Sequence, residues 1–314
     1  MNYSIVQESR IGGRAINQDR ADWAATDDAV LLVVADGMGG HMQGEVAAQI
    51  ALDSLLEQFR QLATPRLASP ARFLADAMQT AHETIVNYAE ECRIPAHAAP
   101  RTTCIACVIQ DGFASWAHAG DSRLYLAHSQ SQGNTRVAHT RDHSVVQRML
   151  DEGKITQEEA ERHPLRHRVF SCLGGDMRPQ IEISKPVMLM DGDVIALCTD
   201  GAWAPMGPAS DQLVANLGHA PLTTSVPHLL DTAESVAGAG ADNLTIIALR
   251  WESSLANADN DAAVDDAETI TVAITVAIAT ATPEQRHPEP PISDAEIERA
   301  IADIRRRIPG SKKP

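Results

Sequence analysis

Apolar positions along this chain fall into two rhythms. Short runs rich in β-branched and aromatic residues predict strands at "VLLVVA" (Val30–Ala35), "TCIACVI" (Thr103–Ile109) and "FASWAHA" (Phe113–Ala119). Further strands are predicted at "RLYLA" (Arg123–Ala127), "VIALCT" (Val194–Thr199) and "LTIIALR" (Leu244–Arg250). The "QDG" between Ile109 and Phe113 is hairpin chemistry, so the strands on either side are expected to pair antiparallel. Helical spacing replaces these runs in two long stretches. Leu52, Leu55, Leu56 and Phe59 share one helical face. Leu74, Ala77, Met78, Ala81, Ile85 and Tyr88 share another, behind a start signal at Ser69 and Pro70. A strand, two helices and then a run of strands is not the alternation of a doubly wound parallel sheet. It predicts an α+β fold with helices laid on antiparallel sheet.

The pattern breaks after Trp251. "ESSLANADNDAAVDDAET" is rich in Ala, Asp and Asn and reads as a solvated linker. "ITVAITVAIATAT" is β-prone and far too short to span a bilayer. A short helix is expected beyond it. Ser293 with Glu296 forms a capping box, Ile297, Ile301, Ile304 and Ile308 mark one face, and Arg305 to Arg307 suit the last turn. The expected organisation is a globular domain over 1–251, a linker over 252–292, and a short amphipathic helix and tail over 293–314.

Charge narrows the choice of partners. The net charge of −16 argues against nucleic acid and anionic membrane. No apolar run reaches membrane-spanning length, and the N-terminus lacks the charged-then-apolar pattern of a secretion signal. The five cysteines are scattered and odd in number, which predicts a reduced, cytoplasmic protein rather than a disulfide framework. Cys104 and Cys107 lie three apart in a predicted strand, so they face opposite sides and make neither a redox nor a zinc pair.

Carboxylates recur where the predicted strands end. "VVADGMGGH" runs from apolar strand into Asp36, Gly37 and more glycine, and "VIALCTDG" repeats that order with Asp200 and Gly201. "AHAGDSR" places Asp121 after a strand, "GADNLTII" places Asp242 before one, and "RAINQDR" adds Arg14 and Asp19. A single Asp-Gly is usually a turn. Four carboxylates at strand ends with a fifth upstream are another matter, because buried or half-buried carboxylates repel one another unless cations lie among them. Oxygen ligands without paired His or Cys point to Mg²⁺ or Mn²⁺ rather than zinc. The chain has no G-x-G-x-x-G or G-K-[ST] phosphate loop at this glycine run.

"RAINQD", "VVADGMGGH", "TT", "AGDSRLY", "DHS", "LCTDGAW" and "ADNLTII" stand in an order and spacing that resemble the bacterial metal-dependent type 2C Ser/Thr protein phosphatases. The resemblance runs from about Gly12 to Leu249 and leaves out the tail. It implies a four-layer α-β-β-α sandwich, two antiparallel sheets each flanked by a helix pair. It also implies that Asp36 bridges two metal ions and that Gly37 offers a backbone carbonyl. Asp200 and Asp242 complete the first ion, Asp19 belongs with the second, and Asp121 with Asp200 resembles the site of a third, weaker ion. Arg14 matches the guanidinium that holds the substrate phosphate, a task suited to its planar fork.

The reaction so implied is hydrolysis of phosphoserine and phosphothreonine in proteins, by in-line attack of a hydroxide that bridges the ions. Its expected partners are bacterial Ser/Thr kinases and their substrates. The leaving alkoxide needs a proton, for which His41 and metal-bound water are both candidates. His118, His143 and His163 read as structural hydrogen-bonding residues, and Asp142 to Ser144 as a helix cap. A phosphatase-like binding module without turnover is the alternative, and its expected mark is the loss of a metal carboxylate; all are present. The chain departs from the family pattern at Arg101, where a glycine is common, and at "RVFSCLG" (Arg168–Gly174), within the flap over 141–186. Both departures bear on substrate preference and neither touches a metal position.

Overall fold

The computed structural model describes residues 1–38, 43–129 and 135–252, together with the backbone of 272–274. In chain order the strands begin with β1 (Asn2–Arg10), β2 (Asp19–Ala25), β3 (Ala29–Met38), β4 (Arg101–Thr102) and β5 (Cys104–Gln110). They continue with β6 (Phe113–Ala119), β7 (Arg123–Ser129), β8 (Thr135–His139), β9 (Leu173–Gly174) and β10 (Glu182–Ile183). The last are β11 (Val187–Met188), β12 (Val194–Cys198), β13 (Leu244–Glu252) and β14 (Val272–Ile274). The helices are α1 (Gly44–Leu62), α2 (Pro70–Glu91), α3 (Val145–Asp151), α4 (Gln157–Glu161), α5 (Asp200–Trp203), α6 (Ser210–Leu217) and α7 (Leu222–Ala237).

Two sheets result. One runs β14-β1-β13-β12-β7-β8, and the other runs β10-β6-β5-β3-β4-β9 with β2 paired to β3 and β11 to β6. Every pairing is antiparallel except that of β14, which lies parallel to β1. The rest of the expected linker and the helix expected over 293–314 lie outside the described residues.

The apolar runs explain the layers. In β3, Leu31 and Val33 pack against Ile50, Leu55 and Phe59 of α1 and Leu74 and Met78 of α2. The alternate residues Val30, Leu32 and Val34 turn to the other sheet, meeting Leu124, Leu197 and Ile247. A strand buried on both faces needs no polar alternation, which is why this run is continuously apolar. On the far side, Ala196, Ile246 and Ala248 pack under Val226, Leu229 and Leu230 of α7. The order of layers is therefore α-β-β-α, as expected. Cys104 lies in the helix-side core and Cys107 in the core between the sheets, so the two thiols do face opposite ways. The β5–β6 hairpin turns on Asp111 (φ 56°) and Gly112 (φ 75°), the left-handed pair a two-residue turn requires. Ser69 caps α2 through the Arg72 N–H, with Pro70 opening the helix.

One buried ion pair ties the sheets to the segment over the site. Arg123 of β7 donates from Nε and Nη2 to both oxygens of Asp142, at 2.7 and 2.8 Å. Its guanidinium also lies 3.3 Å over the Trp203 ring, and Trp203 Nε1 donates to the Asp121 carbonyl at 3.2 Å. Arg123→Ala leaves the Asp142 carboxylate buried and unpaired, so it is expected to cost about 3–5 kcal/mol, read from the midpoint of urea unfolding.

Candidate metal centre

The site is built where strands from both sheets approach α1 and α5. Asp36 lies inside β3, which continues through Gly37 and Met38; it was expected at the strand end. The reason is β4, whose Thr102 pairs with Gly37 and whose Arg101 pairs with Met38, extending the ladder past the carboxylate. The Asp36 backbone is fixed on both sides. Its N–H donates to Thr103 Oγ1 at 3.1 Å, and its carbonyl accepts from Thr103 N–H and Thr102 Oγ1, both at 2.8 Å. Asp19 sits directly across from Asp36 in the β2–β3 register, so the two side chains share a face. Thr199 Oγ1 donates to Asp19 Oδ2 at 2.8 Å, and Thr199 is also the residue that precedes α5 and Asp200.

Asn243, which was not singled out from the sequence, holds the first loop in place. Its Nδ2 donates to the carbonyls of Ile11 (2.9 Å) and Ile16 (3.1 Å), and its Oδ1 accepts from Gln18 N–H at 2.9 Å. The "DN" of "ADNLTII" was the available signal. Glycines allow the segments to close. A Cβ on Gly37 would lie 2.2 Å from the Gly44 carbonyl oxygen, and one on Gly201 would lie 2.0 Å from that of Asn243. Such distances are impossible for a side chain, so both positions need a bare backbone.

Electrostatics identify the cluster more sharply than distance does. Burial pushes the Asp36 carboxyl well above its ordinary range, and Asp19, Asp200, Asp121 and Asp242 push it further. Asp19 is pushed up to about 7 by burial, against hydrogen bonds from Thr245 and Thr199, with Asp200 and Asp242 adding to the rise. Asp121 is likewise raised, first by burial and then by Asp200 and Asp142. The other four predicted aspartates therefore all act on Asp36. Facing them, Arg14 donates from Nη2 to Asp242 Oδ2 at 2.6 Å, and His167 Nδ1 lies 3.9 Å from Asp200 Oδ2. Arg20 acts on Asp19 and Arg123 on Asp121 from further off, without an ion pair to either; these few cations do not balance five carboxylates. The donor set is all oxygen, and it fits hard divalent cations.

Among the described residues, the one group of three His, Cys, Asp or Glu side chains with donor atoms within 4.8 Å of one another is His118, His143 and Glu182, which includes none of the five aspartates. The wider spacing of the aspartates suits ions that keep several of their waters. His118 Nε2 meets the Arg141 carbonyl at 2.9 Å, and His143 Nδ1 accepts from Gly120 N–H at 3.3 Å. The two rings stack at 4.4 Å and brace the loop that carries Asp121, a structural role as expected. His163 Nδ1 accepts from Leu165 N–H, and Ser144 caps α3 through Gln147 N–H. His41 lies outside the described residues.

A four-layer α-β-β-α fold with an aspartate centre open to divalent ions defines a metal-dependent phosphatase. The chain belongs to the protein phosphatase 2C family, whose model matches residues 6–245. It is a metal-dependent serine/threonine protein phosphatase of that class, acting on phosphoproteins. It is 29% identical over 223 residues to serine/threonine phosphatase stp of Listeria welshimeri, covering 70% of this chain and 84% of that protein. It is 31% identical over 236 residues to serine/threonine protein phosphatase PstP of Mycobacterium tuberculosis, covering 74% of this chain and 42% of that longer protein. A solved structure of the catalytic domain of PstP in complex with two manganese ions superposes with a TM-score of 0.64 at 26% identity. That match covers 80% of this chain and 99% of the other.

Proposed function

We propose that Asp19, Asp36, Asp121, Asp200 and Asp242, with the Gly37 carbonyl, hold Mn²⁺ or Mg²⁺, and that Arg14 receives the phosphoryl group of phosphoserine or phosphothreonine. The observation that carries this reading is the excess of carboxylates, three of them driven toward the protonated form by burial first and then by neighbouring carboxylates. Divalent ions bound there lower the pKa of water and neutralise phosphoryl charge. The chain supplies the placement. Thr102 and Thr103 hold the Asp36 backbone, Thr199 orients Asp19, and Asn243 anchors the loop that carries Arg14. Asp242 engages only Nη2 of Arg14, whose side chain is 58% exposed. The remaining guanidinium donors are open to a phosphoryl oxygen at the mouth of the site.

The manganese ions of the PstP structure support Mn²⁺ as one of the metals, and Asp121, which Asp200 helps to raise, would serve with Asp200 for a third, weaker ion. Catalysis belongs to residues 1–251, with 252–292 as linker and 293–314 as an appended helix. The natural setting is the cytoplasm, opposing bacterial Ser/Thr kinases. Five free cysteines support a reducing compartment, and no helix among the described residues is long and apolar enough to cross a membrane. Hydrolysis of an aryl phosphate tests the proposal. Turnover is expected with Mn²⁺ or Mg²⁺ and is expected to stop on chelation; turnover that persists in chelator contradicts it.

A further inference from the structure

A second group of charges lies beside the aspartates. Arg101 of β4 pairs across to Met38, one strand position beyond Gly37, and on its other side to Gly174 of β9. It thus joins the strand that carries Asp36 to the flap. A cavity of about 90 Å³ opens at this junction, lined by Arg101, Phe170, Cys172, Asp176 and Arg178 among others. The Arg101 guanidinium lies across Gly175, where a Cβ would come within 2.6 Å of Nε, and Gly175 has φ +70°. The left-handed backbone there suits glycine, and a side chain would have to displace the guanidinium. Cys172 lies in the same cleft, and the β3–β4 register, which sets Arg101 opposite Met38, puts the cleft two residues along β3 from Asp36.

The sign of charge here is opposite to that of the whole. The chain carries −16, yet from 162 to 178 it has four arginines and two histidines against one carboxylate, Asp176. Arg166, His167 and Arg168 are exposed, and His167 reaches toward Asp200. Arg166, Arg168 and Arg178 pair with no carboxylate among the described residues. Asp176 meets Arg101 only at 3.7 Å, too far for a hydrogen bond, with both side chains partly exposed. A loosely held guanidinium in a cavity that a second arginine, Arg178, also lines is suited to a carboxylate or phosphate brought from outside. A cationic strip on an acidic protein also concentrates anionic ligands at that one edge.

We propose that the cleft between β4 and the flap is a subsite for an acidic residue of the substrate. Arg101 and Arg178 receive the carboxylate, or a second phosphoryl group, of a residue close in sequence to the phosphorylated one. Extended peptide advances about 3.4 Å per residue, so the acidic group lies within about three residues of the phosphorylated one. The inference rests on the phosphatase reading. It names a substrate preference that belongs to this chain's own Arg101.

The test compares kcat/KM for matched phosphothreonine peptides carrying alanine, aspartate or a second phosphoserine at the nearby positions, with Mn²⁺ present. The wild-type chain is expected to favour the acidic peptides by about tenfold. Arg101→Ala and Arg178→Ala are each expected to bring that ratio close to one, and Arg101→Lys to retain part of it. Aryl phosphate turnover by each variant reports whether its metal centre has assembled. The larger preference, for aspartate or for phosphoserine, identifies the source of the acidic group. A wild type that turns over aryl phosphate without preference, or variants that keep the preference, overturns the subsite and leaves the phosphatase reading intact. A wild type that hydrolyses neither peptide nor aryl phosphate overturns both.

Discussion

Asp36→Asn is expected to lower metal-dependent hydrolysis of a phosphothreonine peptide by at least about 10³-fold, and at the same time to raise the melting temperature of the metal-free protein. The two effects have one cause. Asp36 faces four other carboxylates and is held well above its ordinary pKa, first by burial and then by Asp19, Asp200, Asp121 and Asp242. In the absence of ions its charge is a burden on the fold; in their presence it is a ligand. Asparagine keeps the shape and the backbone hydrogen bonds to Thr102 and Thr103 that join β3 to its neighbours. It removes only the charge. Scanning calorimetry in chelator and a phosphate-release assay in Mn²⁺ read the two effects separately. A variant that loses activity and also melts lower without metal would show that Asp36 serves the fold rather than the ions.

The metal-free protein is also expected to lose stability as pH rises from about 4 to about 8. Asp19 is raised from an ordinary 3.8 to about 7 in the folded chain, and Asp36 and Asp121 are displaced in the same direction. A carboxyl whose folded pKa lies above its unfolded value contributes stability that is complete below the unfolded value. That contribution is lost as pH climbs through the folded one. Added Mn²⁺ acts with the opposite sign, because only the deprotonated carboxylates bind it. At a hundred times its Kd it should stabilise the protein by about 2.7 kcal/mol per site. The increment should be greatest at the alkaline end. Melting temperatures at pH 5 and pH 8, each with chelator and with Mn²⁺, give the result. A metal-free melting temperature that stays flat or rises over that interval contradicts the electrostatic account of the centre.

Much of the molecule was legible because burial writes itself into sequence. β3, β5 and β13 are apolar on both faces, and α1 and α2 show their buried stripes at helical spacing. Elements with weaker contrast were missed. β2 begins with "DRAD", whose polar side chains face the site and α1 rather than a dry core. α7 buries Leu222, Val226, Leu229, Leu230 and Ala233 at good helical spacing, but Pro227 stands inside it and hides the pattern. β8 is an edge strand, mostly exposed. Asp36 and Asp200 stood out as strand followed by Asp-Gly, Asp121 and Asp242 as carboxylates at strand ends, and Asp19 through "RAINQDR". What they touch could not be found that way. Arg14 and Asp242 are 228 positions apart, and Asn243 bonds to a loop almost the whole domain away. Arg101 stood out only as a departure from a family pattern; that it lines one cavity with Arg178 depends on the β4–β9 pairing, two residues long.

The most direct measurement is phosphate release from a phosphothreonine peptide by the purified full chain in Mn²⁺, after chelation, and after Mn²⁺ is returned. The aspartate centre predicts release that stops with chelator and resumes when the metal is restored. Release that continues in excess chelator, or that never begins with Mn²⁺ or Mg²⁺ present, would contradict it.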